Sequence, residues 1–313
     1  MNRYWFIFIL PTILLLTTCV QLQYTPALDE HLVRCIAIAY NKGHNWSVEQ
    51  LVGLIDETNY DDDVWNSYLY FLGKIDLPTF VALREPTVYD TRIIDYFKSV
   101  LFSNNSSTDF VDYFNKPLPL DHLNPQKVSN EDLSKRVYEL IKHDYSTIGL
   151  FRTWYEKYFE DELSEKAIYE YAKTLVEIAE SYTFEMQSYQ SGSGFFTSRV
   201  NLNSIPTELV LAIMYKESRL FPASFRAEIN GGKILSISLG LGHILVDADS
   251  FSFLAKLYDD IGNEKQDLYT FELLRNYYFP NLSAEELLQI RGSVLFVRTY
   301  LALLRQKVEP NLR

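Results

Sequence analysis

In a chain with 41 acidic residues, a carboxylate held among apolar side chains is the group most suited to acid-base chemistry, and Glu217 is the best placed. It follows Val210, Ile213 and Met214 at spacings of seven, four and three, so on a helix its carboxylate projects from the same face as three apolar side chains. Burial at such a place penalises the charged form and favours the protonated one, which is the state a general acid needs. A plainer role is also open, in which the glutamate emerges at a helix end and pairs with Lys216 or Arg219. Around it, Ser218 is a candidate for orienting the acid, for contacting a ligand or for capping the helix. Ser238, Gly240 and His243 follow on a glycine-containing turn, and Tyr40 lies far upstream. Asp247 and Asp249 could supply a second carboxylate, although their position suits the opening of a following helix. The five histidines show no metal-ligand spacing, and no glycine loop suits a phosphate. No metal and no cofactor is expected.

These residues need elements to position them. Ile205 to Leu220 reads as a helix: Pro206 suits its first turn, Glu208 complements its positive end, and the next seven residues are apolar or aromatic. A helix apolar on so many sides is buried. Phe225–Ile229 and Lys233–Leu239 read as the arms of a β-hairpin, because Asn230-Gly231-Gly232 supplies the positive φ values of a tight turn. In Ser238-Leu-Gly-Leu-Gly-His-Ile244 two glycines allow the backbone to approach a ligand or a neighbouring helix closely. Elsewhere apolar residues recur at three- and four-residue spacing, so the chain is read as mainly α. Leu28–Tyr40, Thr91–Phe102 and Ile290–Leu304 are expected helices. Two or three more lie within Ser134–Ser181, Glu162–Ser181 being the clearest.

The order of a buried helix ending in Glu217-Ser218-Arg219-Leu220-Phe221-Pro222, a hairpin, and Ser238-Leu239-Gly240-Leu241-Gly242-His243-Ile244 resembles the lytic transglycosylases and their goose-type lysozyme relatives. Tyr300-Leu301-Ala302-Leu303-Leu304 is similar to a later helix of that family. The resemblance covers residues 201–313, with His243 where the family usually has Gln. It implies a lysozyme-like helical domain with a small β-hairpin near the site, plus additional helices. It further implies peptidoglycan glycan strands as substrate and Glu217 as the acid/base, with Ser218, Ser238, Gly240, His243 and Tyr40 in the binding cleft. The family then continues to an Ala-Tyr-Asn-x-Gly motif, whose Tyr supports the acid, and to a closing helix. Here Ala39-Tyr40-Asn41-Lys42-Gly43 and the segment Val88 to Leu101 stand at the front instead. A circular permutation is therefore expected, in which residues 24–102 supply the C-terminal part of the domain.

The remaining organisation follows from composition. Residues 1–19 read as an export signal, with Arg3 before an apolar run and small residues ahead of Cys19. Cys19 is either acylated, as in a lipoprotein, or lost with the signal or kept in an anchor. The protein is thus expected in the periplasm or cell envelope, with a membrane anchor as one alternative. Loss or acylation of Cys19 leaves only Cys35, and no intrachain disulfide. The Ser/Asn- and Pro-containing stretch 103–130 reads as a linker or long loop, and 131–200 as a helical segment. A net charge of −12 argues against nucleic acid as partner, since that task needs a basic stripe. A protein partner is unknown. A rival expectation is a non-catalytic envelope module that keeps the groove to bind glycan or to dock on a protein.

Overall fold

The computed structural model describes residues 27–42, 46–77, 111, 114–118, 130–147, 150–159, 161–187, 199–222, 224–230, 233–247, 257–258, 264–265 and 284–312. The expected signal with Cys19, the helix at Thr91–Phe102, most of the 103–130 stretch, the polar break at 190–194, Gly231-Gly232 and Asp249 lie outside them. Among the described residues the protein is mainly helical, with eight α-helices and small antiparallel sheets. No helix there is long and apolar enough to cross a membrane.

The helices are α1 (Glu30–Lys42), α2 (Val48–Gly53), α3 (Asn59–Phe71), α4 (Glu131–Thr147), α5 (Leu150–Phe159), α6 (Glu165–Ser181), α7 (Thr207–Ser218) and α8 (Ile290–Val308). Their starts have local causes. Ser47 and Gln50 form a reciprocal capping box on α2, and the Thr58 hydroxyl accepts from the Tyr60 amide at the head of α3. The Ser164 hydroxyl accepts from the Ala167 amide, so α6 begins at Glu165 and not at Glu162. Pro206 sits just outside α7 as its cap residue, one position earlier than the sequence suggests.

Helix α7 is the axis of the core. Leu209 to Lys216 are all buried, because α3, α6 and α8 pack around it. Helix α1 covers α3 and α8 in turn and buries Leu32, Val33 and the run from Cys35 to Ala39. The front of the chain and its end thus share one apolar interior, while α4 pairs with α5 and α6 beside it. Arg298, on α8 and 1% exposed, fastens three element ends in that interior. It donates to the Ala179 carbonyl near the end of α6 at 2.7 Å, to Leu202 at 3.2 Å and to the Thr207 hydroxyl at the head of α7 at 2.9 Å. Desolvation brings its guanidinium down to about 10, against the pull of Glu208 and Glu180.

Strands β1 (Glu185–Gln187) and β2 (Arg199–Asn201) make a short ladder, as do β6 (Leu257–Tyr258) and β7 (Glu264–Lys265). The expected hairpin is present as β3 (Phe225–Asn230) and β4 (Lys233–Leu239), and Phe225 pairs with Leu239. The turn after it does not return to a helix. Ile244-Leu245-Val246-Asp247 forms β5, which pairs antiparallel with Ser236–Leu239 and makes the sheet three-stranded. Asp247 is thus the last residue of a strand, a conformation that β-branched Ile244 and Val246 favour.

Candidate active site

The way helix α7 ends aims Glu217. Arg219 and Leu220 both take left-handed backbone angles, φ 55° and 61°, so the chain reverses within two residues. Two successive non-glycine residues in this region store backbone strain, which the burial of both side chains at 7% and 0% exposure helps hold in place. The reversal keeps the Glu217 side chain at the edge of the core, 16% exposed. The negative end of the helix dipole disfavours a further negative charge there.

The neighbours of Glu217 in the sequence are engaged elsewhere. Lys216 forms an ion pair with Asp63, and Arg219 reaches Asp144 at 3.4 Å. The carboxylate is instead gripped from other elements. The Tyr60 hydroxyl, from the first turn of α3, donates to Oε1. Nδ1 of His243 lies 3.6 Å from Oε2, with the imidazole itself 9% exposed. Lys216 also stands 5.0 Å from the centre of the Tyr60 ring, so the ammonium between Asp63 and the ring fixes the tyrosine in place.

His243 reaches this position through the turn between β4 and β5. Gly240 has φ 71°, and a Cβ there would meet the Leu287 carbonyl at 1.8 Å, so only glycine fits. Its amide donates to the Ser224 carbonyl at 2.8 Å, and the His243 amide donates to Gly240 at 3.1 Å. His243 then adopts φ 46°. Its Nε2 is 2.5 Å from the Ser224 hydroxyl. One imidazole thus lies between a serine and a carboxylate, held at Nε2 by the hydroxyl and facing the carboxylate with Nδ1. The order Ser224, His243, Glu217 is also that of a serine-hydrolase relay. Ser224 is 0% exposed, however, which denies its oxygen contact with a substrate carbonyl.

Tyr40 is close by but does not take the expected place on the acid. Its hydroxyl donates to the Gly242 carbonyl at 2.8 Å, while Tyr60 occupies Glu217. The Tyr40 phenol is raised well above its ordinary range, first by desolvation and then by the Glu217 charge, which places the two groups in one neighbourhood. Its ring rests 5.3 Å from that of Tyr300. A Cβ on Gly242 would come within 2.7 Å of the Tyr40 hydroxyl and 2.4 Å of Val297, so this glycine admits the α1 tyrosine to the turn.

The other predicted residues divide. Ser218 is 2% exposed and donates to the Met214 carbonyl at 2.8 Å, so it closes the helix and faces inward. Gly240 is buried with its backbone close against the Leu287 carbonyl. Ser238 is half-buried in β4, paired with Arg226 on one side and Leu245 on the other. Sequence reasoning missed Tyr60, Ser224 and the Lys216–Asp63 pair. Tyr60 carries no local signal, since only the packing of α3 on α7 brings it to the acid. Ser224 sits in the link between Glu217 and the hairpin, where its spacing to His243 had no partner to suggest it. Asp56, Asp61 and Asp62 form an acidic group that could hold an ion, but the Arg34 guanidinium already bonds all three.

Set against protein-family models, curated proteins and solved structures, the chain matches none of them. The reading of the site therefore rests on its own geometry: one partly covered carboxyl, a phenol donating to one of its oxygens and an imidazole beside the other. Such a group can give a proton to a leaving oxygen and accept one back.

Proposed function

We propose that the protein is a lytic transglycosylase of the cell envelope, which cleaves the β-1,4 bond between N-acetylmuramic acid and N-acetylglucosamine. The observation that carries this reading is Glu217 at the end of a buried helix, 16% exposed and held by Tyr60 on Oε1. In this reaction the protonated carboxyl first gives its proton to the glycosidic oxygen. The resulting carboxylate then takes the proton of the muramyl 6-hydroxyl, whose oxygen attacks the anomeric carbon and closes a 1,6-anhydro ring. Hydrolysis with two carboxylates would need a second acid at a defined separation. Among the described residues a phenol and an imidazole stand beside Glu217, which suits a one-carboxyl mechanism.

The permuted order also draws support from packing. Helices α1 and α3 from the front lie on α8 and α7 from the end, and both Tyr40 and Tyr60 come from that front segment. On this reading the fold is lysozyme-like, with the β3–β5 sheet beside its cleft, and residues 24–102 complete the domain begun at 201. Residues 1–19 direct the chain to the envelope.

Glu217→Gln keeps the shape of the side chain and removes its proton. Release of anhydro-muropeptides from purified sacculi should fall at least about a hundredfold, with the unfolding temperature little changed. Full release by this variant would end the assignment. The rival reading, a binding module, draws on His243 standing where the family has Gln. Retention on sacculi without any anhydro product from the unaltered protein would establish it.

A further inference from the structure

We propose that His243, oriented by Ser224, shares a single proton with Glu217, so that the acid of this site is a carboxyl–imidazole pair and not a lone carboxyl. The inference deepens the reading above and rests on it for the identity of the reaction, but the pairing itself is testable without turnover.

The geometry has three parts. Nδ1 of His243 is 3.6 Å from Oε2 of Glu217, and both side chains are largely covered, at 9% and 16% exposure. Nε2 is held at 2.5 Å by the Ser224 hydroxyl, which can donate to it or accept from it, so the ring is retained in either tautomer and when protonated. Oε1 accepts from Tyr60, and Oε2 is the oxygen that faces the imidazole. Other ionisable groups stand around the pair. Tyr60 and Asp63 come from α3, Tyr40 from α1, Tyr300 from α8 and Lys216 from α7 itself. Lys216 and Asp63 neutralise one another, and burial holds Tyr40 in its neutral form.

With one proton the pair has two arrangements, carboxylate with imidazolium or carboxylic acid with imidazole. Water at the cleft favours the charged arrangement, because both charges are then solvated. A sugar laid over Oε2 expels that water, and desolvation penalises two charges more than none. The proton then passes from Nδ1 to Oε2: an N–H bond breaks, an O–H bond forms, and both groups become neutral. Binding of the glycan thus loads the acid at the moment it is needed. His243 acts through Glu217 and not on the sugar, so it is a positioning residue whose effect is on the proton. A Gln at this position could hold the ring site by hydrogen bonding but could carry no proton.

The decisive measurement is titration of His243 in the full chain by nitrogen-15 NMR of its ring, in the unaltered protein and in Glu217→Gln. Loss of the carboxylate should lower the His243 pKa by one unit or more, and the two groups should titrate as a coupled pair in the unaltered protein. An unmoved His243 pKa in a folded Glu217→Gln protein would overturn the proposal, whatever the protein does to sacculi. A second arm uses His243→Gln in the sacculus assay. The alkaline limb of its pH profile should move down by at least one pH unit, since a lone carboxyl loses its proton earlier than the pair. Equal limbs would overturn the loading role. Failure of the unaltered protein to form anhydro ends would instead strike the reading of the reaction and leave the NMR result to stand by itself.

Discussion

Two tyrosines from the front of the chain reach the same neighbourhood, and their hydroxyls do different things there. Tyr60 donates to the acid itself, whereas Tyr40 donates to a backbone carbonyl of the turn that carries His243. In the proposed reaction negative charge develops on the carboxylate as the proton leaves Glu217, and a donor already aimed at Oε1 stabilises that charge without reorganising. A hydrogen bond to a charged group contributes about 1.5–3 kcal/mol. Tyr60→Phe should therefore lower kcat roughly ten- to hundredfold, with less effect on KM, when anhydro product is followed against glycan concentration. Tyr40→Phe should cost about 1 kcal/mol of stability in thermal unfolding and leave a larger share of the activity. The opposite ranking would return the supporting role to Tyr40, the residue marked by the Ala-Tyr-Asn-x-Gly motif. That motif found the right neighbourhood and the wrong bond, because a five-residue pattern fixes a helix end but not which hydroxyl of two adjacent helices is nearer.

The turn between β4 and β5 sets how near the imidazole comes to the acid. Gly240 combines a positive φ with a backbone contact that leaves no room for a methyl group. Gly240→Ala should cost more than about 2 kcal/mol, from left-handed strain together with overpacking, read as a fall in unfolding temperature. In Gly242→Ala, a loss of activity out of proportion to the loss of stability would follow from pushing Tyr40 and Val297 off the turn. Helices α2 and α3 drew no separate expectation, whereas helix α7 and the hairpin were legible in the sequence because their signals are local, apolar spacing in the one and the Asn-Gly turn in the other. Strand β5 was not, since four residues of Ile-Leu-Val-Asp acquire their conformation only from the edge of β4 that they pair with. For the site, the structure sets side by side two residues that were marked in the sequence, Glu217 by the apolar spacing and His243 by the resemblance. Ser224 and Tyr60 were not, because their roles exist only once distant elements meet.

At the scale of the whole molecule, three of the described carboxyls near α7 are withdrawn from water, Asp144 buried and Glu180 and Glu208 half-buried. Asp144, Glu180 and Glu208 are each raised above the ordinary carboxylate range, in every case chiefly by desolvation. The unfolded chain releases these protons from about pH 4 upward, whereas the folded chain keeps them to higher pH. Between those limits the folded state binds more protons, so this contribution is complete below the ordinary value and is lost as pH rises through the raised ones. The net charge of −12 acts in the same direction, since deprotonation adds to self-repulsion. Glu49 and Glu165 are shifted the other way, but both are fully exposed and screened by water. Thermal unfolding should therefore occur at a higher temperature near pH 5 than near pH 7.5, and Glu180→Gln should flatten that dependence. A melting temperature that falls on mild acidification would show that other carboxylates dominate.

The bond from Tyr60 to Glu217 joins residues 157 positions apart. A ribosome must therefore deliver the phenol long before the carboxyl it holds, and the first two hundred residues emerge without Glu217. On the proposed reading, an enzyme directed at the wall of the cell producing it is harmless throughout its own synthesis, and a single break between the two residues disarms it unless the fragments re-associate.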